Sequence, residues 1–169
     1  MGKNMIDKDI TITFCGHSKL FSEKKDAKLA IIDTLTPFFS EFQSYTSKIT
    51  FLCGGYGDFD EVAAEAIDEL RKKFPKAKTE KNFVTPYITD SYQKRLNYMS
   101  RYYDNIIFPS LSNVTLKMAI PERNKWMIRK SDLVIAYVNC TYGGAYQTLS
   151  YAYKIKKNII RVISDYITF

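Results

Sequence analysis

One twelve-residue stretch decides the fold: Ile49-Thr50-Phe51-Leu52-Cys53-Gly54-Gly55-Tyr56-Gly57-Asp58-Phe59-Asp60. Its first five residues are β-branched or apolar, and three glycines follow within the next four. Apolar residues then recur every three or four positions from Val62 to Phe74, which places them on one face of a helix. A strand that ends at glycines and restarts as a helix directs backbone N–H groups and the positive end of the helix dipole at a ligand. The stretch therefore predicts a strand–turn–helix unit suited to a nucleotide-type ligand.

The same alternation continues along the chain. Predicted strands cover residues 10–15, 49–53, 81–87, 105–109, 132–139 and 158–163, and helical patterns separate most of them. The clearest strands are apolar on both faces, which is typical of a parallel sheet covered by helices on both sides. We see no repeat, low-complexity tract or linker, and we expect a single α/β domain over residues 1–169. In the first helix, which begins near Glu23, Pro37 predicts a kink or break near Thr36.

Composition and charge narrow the class of protein. The chain is 46% hydrophobic and 25% charged, as expected of a soluble globular protein, and its three cysteines show no disulfide spacing. No apolar run reaches the roughly 18 residues of a membrane span, and Met1–Lys8 is too polar for a secretory segment. We therefore expect a cytoplasmic protein without a membrane partner.

The chain carries 25 Lys and Arg against 18 Asp and Glu, a net charge of +7. Such an excess attracts polyanions or small anions. The basic residues are dispersed, however, with short clusters only at 71–78 and 154–157, whereas nucleic-acid binders concentrate the charge on one face. Nucleic acid is therefore not expected as a partner.

The glycines point to one ligand site. Apart from Gly2, every glycine follows a predicted strand: Gly16, then Gly54, Gly55 and Gly57, then Gly143 and Gly144. In an open parallel sheet these turns share the carboxyl edge, where ligands bind at the point at which strand order reverses. Glycine at such a turn also serves backbone geometry, but three turns on one edge favour a binding site.

The charges beside these turns indicate where a phosphate would lie. Asp58 and Glu61 have the Ncap and N3 spacing of a capping box, and these carboxylates, with Asp60 between them, would repel an anion. No Asp or Glu occurs between Asp132 and Asp165, so the helix after Gly143–Gly144 keeps its N–H groups for a phosphate. We predict the phosphate there, with a plain tight turn as the alternative, and the sugar near residues 54–58.

The only histidine and the three cysteines are further candidates. His17 lies in the first glycine turn, where it would contact a phosphate, act as an acid–base group or only pack. We predict a binding role for it and no catalytic one. Cys15, Cys53 and Cys140 could join His17 around zinc, but no Cys-x-x-Cys pair is present. No metal site is therefore predicted.

Six segments, in the order in which they occur along the chain, resemble the SLOG superfamily. This superfamily includes DNA-processing (Smf/DprA-type) proteins and Lonely-guy-type proteins. The likeness is greatest to its small bacterial and phage YpsA-like branch. The segments are Thr13-Phe14-Cys15-Gly16-His17, Gly54-Gly55-Tyr56-Gly57-Asp58, Val84-Thr85-Pro86-Tyr87, Arg123-Asn124-Lys125-Trp126-Met127, Ser131-Asp132-Leu133-Val134-Ile135-Ala136 and Gly143-Gly144-Ala145. The resemblance implies a three-layer Rossmann-like domain with a mostly parallel central sheet and helices on both faces.

The resemblance also implies a function. It favours a sensor or sequestering protein for a nucleotide-derived signal, such as an ADP-ribose derivative or a cyclic nucleotide. Lonely-guy relatives hydrolyse N-glycosidic bonds with an Arg-Lys pair and a glutamate after a Gly-Gly-x-Gly-Thr turn. Arg123 looks like that arginine and would also add a bidentate phosphate contact, but Asn124 replaces the lysine and residues 145–149 contain no carboxylate. Binding is therefore favoured over catalysis.

Two alternatives stay open. One is a nucleotide N-glycosidic or phosphate hydrolase in which Asp58, Asp60 or Glu122 replaces the missing glutamate. The other is single-stranded DNA binding, as in the DNA-processing branch. No cofactor is predicted, and Mg²⁺ bound together with a nucleotide stays open. Members of the superfamily are commonly oligomeric, so the resemblance favours a homodimer or homotetramer.

The predicted ligand-binding set combines the glycine turns with their neighbours, and it includes no catalytic residue. It consists of Cys15, Gly16, His17, Gly54, Gly55, Tyr56, Gly57, Asp58, Pro86, Tyr87, Arg123, Asn124, Met127, Asn139, Gly143, Gly144 and Ala145.

Overall fold

The structure is a computed structural model that describes residues 8–111 and 113–162. Its strands are β1 (Ile10–Gly16), β2 (Ile49–Cys53), β3 (Thr79–Val84), β4 (Asn105–Ile107), β5 (Leu133–Tyr137) and β6 (Asn158–Arg161). Its helices are α1 (Lys24–Phe42), α2 (Asp58–Lys73), α3 (Gln93–Met99), α4 (Ala119–Lys130) and α5 (Gly143–Lys154). Single 3₁₀ turns at Phe21–Glu23, Asp90–Tyr92 and Leu116–Met118 lead into α1, α3 and α4.

The six strands form one sheet in the order β4-β3-β2-β1-β5-β6, and every neighbouring pair is parallel. The first strand, β1, lies inside the sheet. The next three strands add outward to β4 on one side of it, and the chain then crosses over to place β5 and β6 on the other side. Strand order therefore reverses between β1 and β5, where Thr13 is in register with Val134. That reversal is the place where open α/β sheets bind their ligands.

Alternating side chains of the strands build a core on each face of the sheet. In β1, Ile12 and Phe14 join the larger core beneath α1 and α2, whereas Cys15 joins the smaller core beneath α4 and α5. β5 divides in the same way, with Ile135 in the larger core and Val134 in the smaller one. Burial on both faces explains the continuous apolar runs of the sequence. The predicted three-layer Rossmann-like α/β architecture is confirmed, with a sheet that is parallel throughout.

Some predicted element boundaries differ from the structure. α1 runs through Pro37 without a break. Pro37 and Asp33, whose carbonyl loses its helical donor, are both exposed residues, so water can satisfy that carbonyl. α5 begins at Gly143, so the two glycines of the third glycine turn lie in the first turn of the helix rather than in a preceding loop. The predicted polar start of the chain (residues 1–7) and the predicted end of the last strand at Ile163 lie outside the described residues. Among the helices of the described part, none has the length and apolar character of a membrane span.

Candidate functional site

A cleft of about 670 Å³ opens at the carboxyl edge of the sheet, where β1 and β5 diverge. Its walls come from the loop after β1, the loop after β5, the start of α2 and one face of α4. The structure brings eleven of the predicted binding residues to this cleft: Cys15, Gly16, His17, Tyr56, Arg123, Asn124, Met127, Asn139, Gly143, Gly144 and Ala145. The reversal of strand order thus gathers the first and third glycine turns around one cavity.

The second glycine turn lies mostly elsewhere. Gly55, Gly57 and Asp58 line a groove beside α3, and Gly54 is buried against Arg123. Gly57 has a φ of 87°, and a Cβ added to it would lie 2.4 Å from the Cα of Ser18. The turn is therefore packed against the loop after β1. The expectation of a sugar along residues 54–58 needs correction, because only Tyr56 from that range lines the cleft.

The expected capping box at Asp58 and Glu61 does not form. Gly57 occupies the N-cap position, and no side chain caps the helix there. The Asp58 carboxylate instead accepts the Leu20 N–H at 2.9 Å and pairs with Lys24 at 3.1 Å. Asp58 therefore fixes the loop after β1 from outside the cleft, and it is not directed at a bound ligand.

Pro86 and Tyr87 are also separate from the cleft. They line a smaller depression beyond the end of β3, and the Tyr87 hydroxyl donates to the Leu116 carbonyl at 3.2 Å. Since β2 lies between β3 and β1, the strand that they follow is about 10 Å from β1 at ordinary strand spacing. They do not wall the same pocket as Cys15–His17.

Arg123 reaches the cleft in a role that the sequence did not indicate. Its side chain is buried, with Nη1 donating to the carbonyls of Gly54 at 2.7 Å and of Val84, and Nε donating to Asn124 Oδ1 at 2.9 Å. A buried guanidinium needs such acceptors to offset its desolvation. The expected bidentate phosphate contact is replaced by a link between the ends of β2 and β3.

Asp60 is a cleft residue that the predicted set omits. Its Oδ2 accepts the backbone N–H of Tyr56 at 2.8 Å, which closes the turn before α2. Burial raises the pKa of Asp60 to about 6, while the nearby Arg123 charge and the Tyr56 N–H act in the opposite direction. The sequence indicates Asp60 only as a candidate catalytic carboxylate, since the apparent capping box assigns the acidic side chains to the helix start.

His17 joins the two loops that face each other across the reversal point. Its Nε2 accepts the backbone N–H of Asn139 at 3.0 Å, which places the ring proton on Nδ1. The ring also lies edge-on to Tyr137, with the two centroids 6.3 Å apart. His17 therefore holds the loop after β1 against the loop after β5.

The buried cysteines Cys15 and Cys53 lie on opposite faces of the sheet. Burial raises the pKa of Cys15 to about 12, so the group is a thiol, and it donates to the Ala145 carbonyl at 3.2 Å. Cys53 lies in the core on the other face of the sheet. Within residues 8–111 and 113–162, no three His, Cys, Asp or Glu side chains are grouped to hold a metal ion.

The start of α5 is the part of the cleft suited to an anion. Gly143 and Gly144 line the cavity, and a Cβ added to either would meet no atom within 4 Å. The first turn of α5 contains no acidic residue, and the N-cap residue Tyr142 makes no side-chain capping bond. The first backbone N–H groups of a helix lack partners within it. They are thus available to a ligand in the cleft.

No protein-family model matches the chain, and no curated protein sequence does. Among solved structures, DNA processing protein A from Helicobacter pylori is similar, with a TM-score of 0.58 over 95% of this chain and 68% of that one, at 17% sequence identity. That structure is described for its mode of single-stranded DNA binding. It belongs to the DNA-processing type that the sequence motifs resemble, so the resemblance is supported at the level of the fold.

The comparison corrects one expectation. Nucleic acid was not expected as a partner because the basic residues are dispersed along the sequence. A protein of similar fold binds single-stranded DNA, so dispersed charge is not a ground for excluding nucleic acid, and that expectation is wrong.

Proposed function

We propose that the cleft between β1 and β5 binds a nucleotide unit, with its phosphate at the start of α5. The observation that carries the proposal is the open first turn of α5, where Gly143 and Gly144 line the cavity and no side chain caps the helix. A helix start combines these donors with a positive partial charge. The exposed Lys19 adds a positive charge to the lining of the same cleft.

The size of the cleft supports a small ligand. Its volume of about 670 Å³ lies within the roughly 300–1,000 Å³ range of small-molecule sites. With the motif resemblance, this favours a SLOG-type protein of the YpsA-like kind that senses or sequesters a nucleotide-derived signal. A free nucleotide is the first ligand to test.

Single-stranded DNA is the second candidate. The observation in its favour is the similar fold of the Helicobacter pylori protein, which binds single-stranded DNA. The net charge of +7 is compatible with a polyanion. In this case the cleft would hold one nucleotide of a longer strand rather than a free molecule.

Hydrolysis would depend on Asp60. Of the three carboxylates considered as replacements for the missing glutamate, Asp58 is engaged by Leu20 and Lys24, and Glu122 pairs with Lys125 at 2.9 Å. Asp60 alone of the three lines the cleft. An assay for released base or phosphate should therefore accompany each binding measurement.

The proposal is tested by ligand-dependent thermal unfolding. The panel contains nucleoside monophosphates, cyclic nucleotides, ADP-ribose and oligothymidylate, and mass spectrometry of the denatured protein identifies any co-purified molecule. A free nucleotide that binds the folded protein raises its melting temperature in a concentration-dependent way. If only the oligonucleotide does so, with a steep dependence on salt, the second candidate replaces the first.

A matched pair of variants locates the phosphate. Gly144→Asp adds a negative charge where the cavity is open, and Gly144→Asn adds a neutral side chain of nearly the same shape. An acidic residue stabilises a helix start, so Gly144→Asp should fold at least as stably as Gly144→Asn. It should nevertheless lose the nucleotide-induced rise in melting temperature. Equal rises in both variants would place the phosphate elsewhere and contradict the proposal.

A further inference from the structure

Phe21 has an unusual conformation at the mouth of the cleft. Its φ is 52°, a left-handed value that bulky residues rarely adopt and that costs free energy. Its side chain is 81% exposed and lines the cleft. Neither the strain nor the exposure of an apolar ring is explained by packing within the described residues.

The backbone around Phe21 is held firmly enough to maintain that strain. The preceding Leu20 is buried, its N–H donates to Asp58 Oδ2 at 2.9 Å, and its carbonyl accepts the Glu23 N–H at 2.9 Å. Glu23 is fixed in turn by the Tyr137 hydroxyl at 2.7 Å. The chain is thus anchored on both sides of Phe21, and the ring is turned outward by a well-bonded loop.

A second exposed aromatic lies in the loop of the neighbouring strand. Tyr142 is 77% exposed, lines the same cleft and directly precedes Gly143. Because β1 and β5 are adjacent in the sheet, the loop carrying Phe21 and the loop carrying Tyr142 leave the sheet roughly 5 Å apart. The proposed phosphate position and both aromatic rings therefore belong to one cavity.

We propose that Phe21 is a specificity-determining residue that stacks on the base of the bound nucleotide, with Tyr142 as the second aromatic at the mouth of the cleft. The inference rests on the proposed function and names the part of the ligand that the mouth recognises. Aromatic side chains stack on any base without hydrogen-bond readout, since every base has a π-face. The cleft would thus distinguish nucleotides from base-free sugar phosphates.

The test compares a base-containing probe with a base-free one. AMP and ribose 5-phosphate share the sugar and the phosphate, so titration calorimetry with both separates stacking from phosphate binding. Phe21→Asn is the chosen variant because asparagine tolerates a left-handed backbone, and its melting temperature should equal or exceed that of the wild type. Tyr153→Asn, which removes a 54% exposed tyrosine from α5 outside the cleft lining, is the control.

We expect Phe21→Asn to weaken AMP binding about tenfold or more and to leave ribose 5-phosphate binding unchanged. We expect Tyr153→Asn to alter the binding of neither probe. Phe21→Trp should retain AMP binding and quench the fluorescence of bound ethenoadenosine monophosphate. Unchanged AMP affinity in Phe21→Asn, or an equal loss for both probes, overturns the inference while the proposed function stands. If the wild-type protein binds neither these two probes nor any nucleotide or oligonucleotide of the panel above, the proposed function fails and the inference fails with it.

Discussion

Arg123 Nη1 donates a hydrogen bond of 2.7 Å to the carbonyl oxygen of Gly54, a residue 69 positions earlier in the chain. The same nitrogen donates to the Val84 carbonyl. One buried guanidinium on α4 therefore satisfies backbone acceptors at the ends of β2 and β3. The glycine turn that begins at Gly54 depends on this contact for its position beside the cleft.

Arg123→Ala should lower the free energy of unfolding by about 2–4 kcal/mol, because two buried carbonyls lose their donor. Arg129→Ala is the matched control, since Arg129 is exposed on the same helix, and it should stay within about 0.5 kcal/mol of the wild type. Urea unfolding measures both values. If the two variants lose the same small amount, Arg123 does not stabilise the ends of β2 and β3.

The stability of the protein should depend on the ionisation of Asp60. Burial raises the pKa of Asp60 from its ordinary value of 3.8 to about 6. The folded protein therefore holds this proton more tightly than the unfolded chain, and the free energy of unfolding falls as pH rises from about 4 to 6. Asp60→Asn should remove this fall. The free energy of unfolding of the variant minus that of the wild type should therefore be on the order of 2 kcal/mol larger at pH 7 than at pH 4.

Asp58, two residues before Asp60, provides a control because its pKa is shifted in the opposite direction. The Leu20 N–H, and then Lys24, hold the pKa of Asp58 below its ordinary value. Its stabilising contribution is present above that ordinary value and is lost as pH falls through the lowered pKa. Asp58→Asn should thus be less stable than wild type at pH 7, and the difference should narrow in acid. Parallel pH profiles for the two variants, measured by chemical denaturation, would contradict both assignments.

Two glycines should respond in opposite directions to alanine. Gly57 has a φ of 87° and leaves no room for a Cβ beside Ser18, so Gly57→Ala should cost about 1–3 kcal/mol. An alanine at Gly144 meets no atom and lies in the first turn of α5, so Gly144→Ala should gain about 0.5–1 kcal/mol. Thermal unfolding of both variants checks the difference. A loss at Gly144 would indicate a conformation that only glycine adopts.

The fold was predictable because its signals are local or periodic. β5 appears as an uninterrupted apolar run since both of its faces are buried, and the glycines lie between the carboxyl ends of the strands and the starts of the helices. The predicted break at Pro37 was wrong because the sequence position of a proline does not show whether the carbonyl that it frees faces water. The freed carbonyl matters only when it is buried.

The site was less predictable because its contacts are long-range. Spacing places Asp58 and Glu61 in one helical turn, but it carries no information about the Leu20 N–H, which lies 38 residues earlier and takes the Asp58 carboxylate. For the same reason Arg123 was expected to face a phosphate rather than the carbonyl of Gly54. Gly143 and Gly144 do line the cleft, since the carboxyl edge of the sheet determines their position, and their role in binding stays a prediction.

His17 should control the rigidity of the cleft. Its Nε2 accepts the Asn139 N–H at 3.0 Å and so joins the loops after β1 and β5. In His17→Ala the amide of Asn139 loses its acceptor, and hydrogen exchange in the loop between β5 and α5 should accelerate because that loop opens more often. Residues Leu133–Tyr137 remain bonded within the sheet and serve as the internal control. Unchanged exchange at Asn139 would show that the histidine contact does not hold the two loops together.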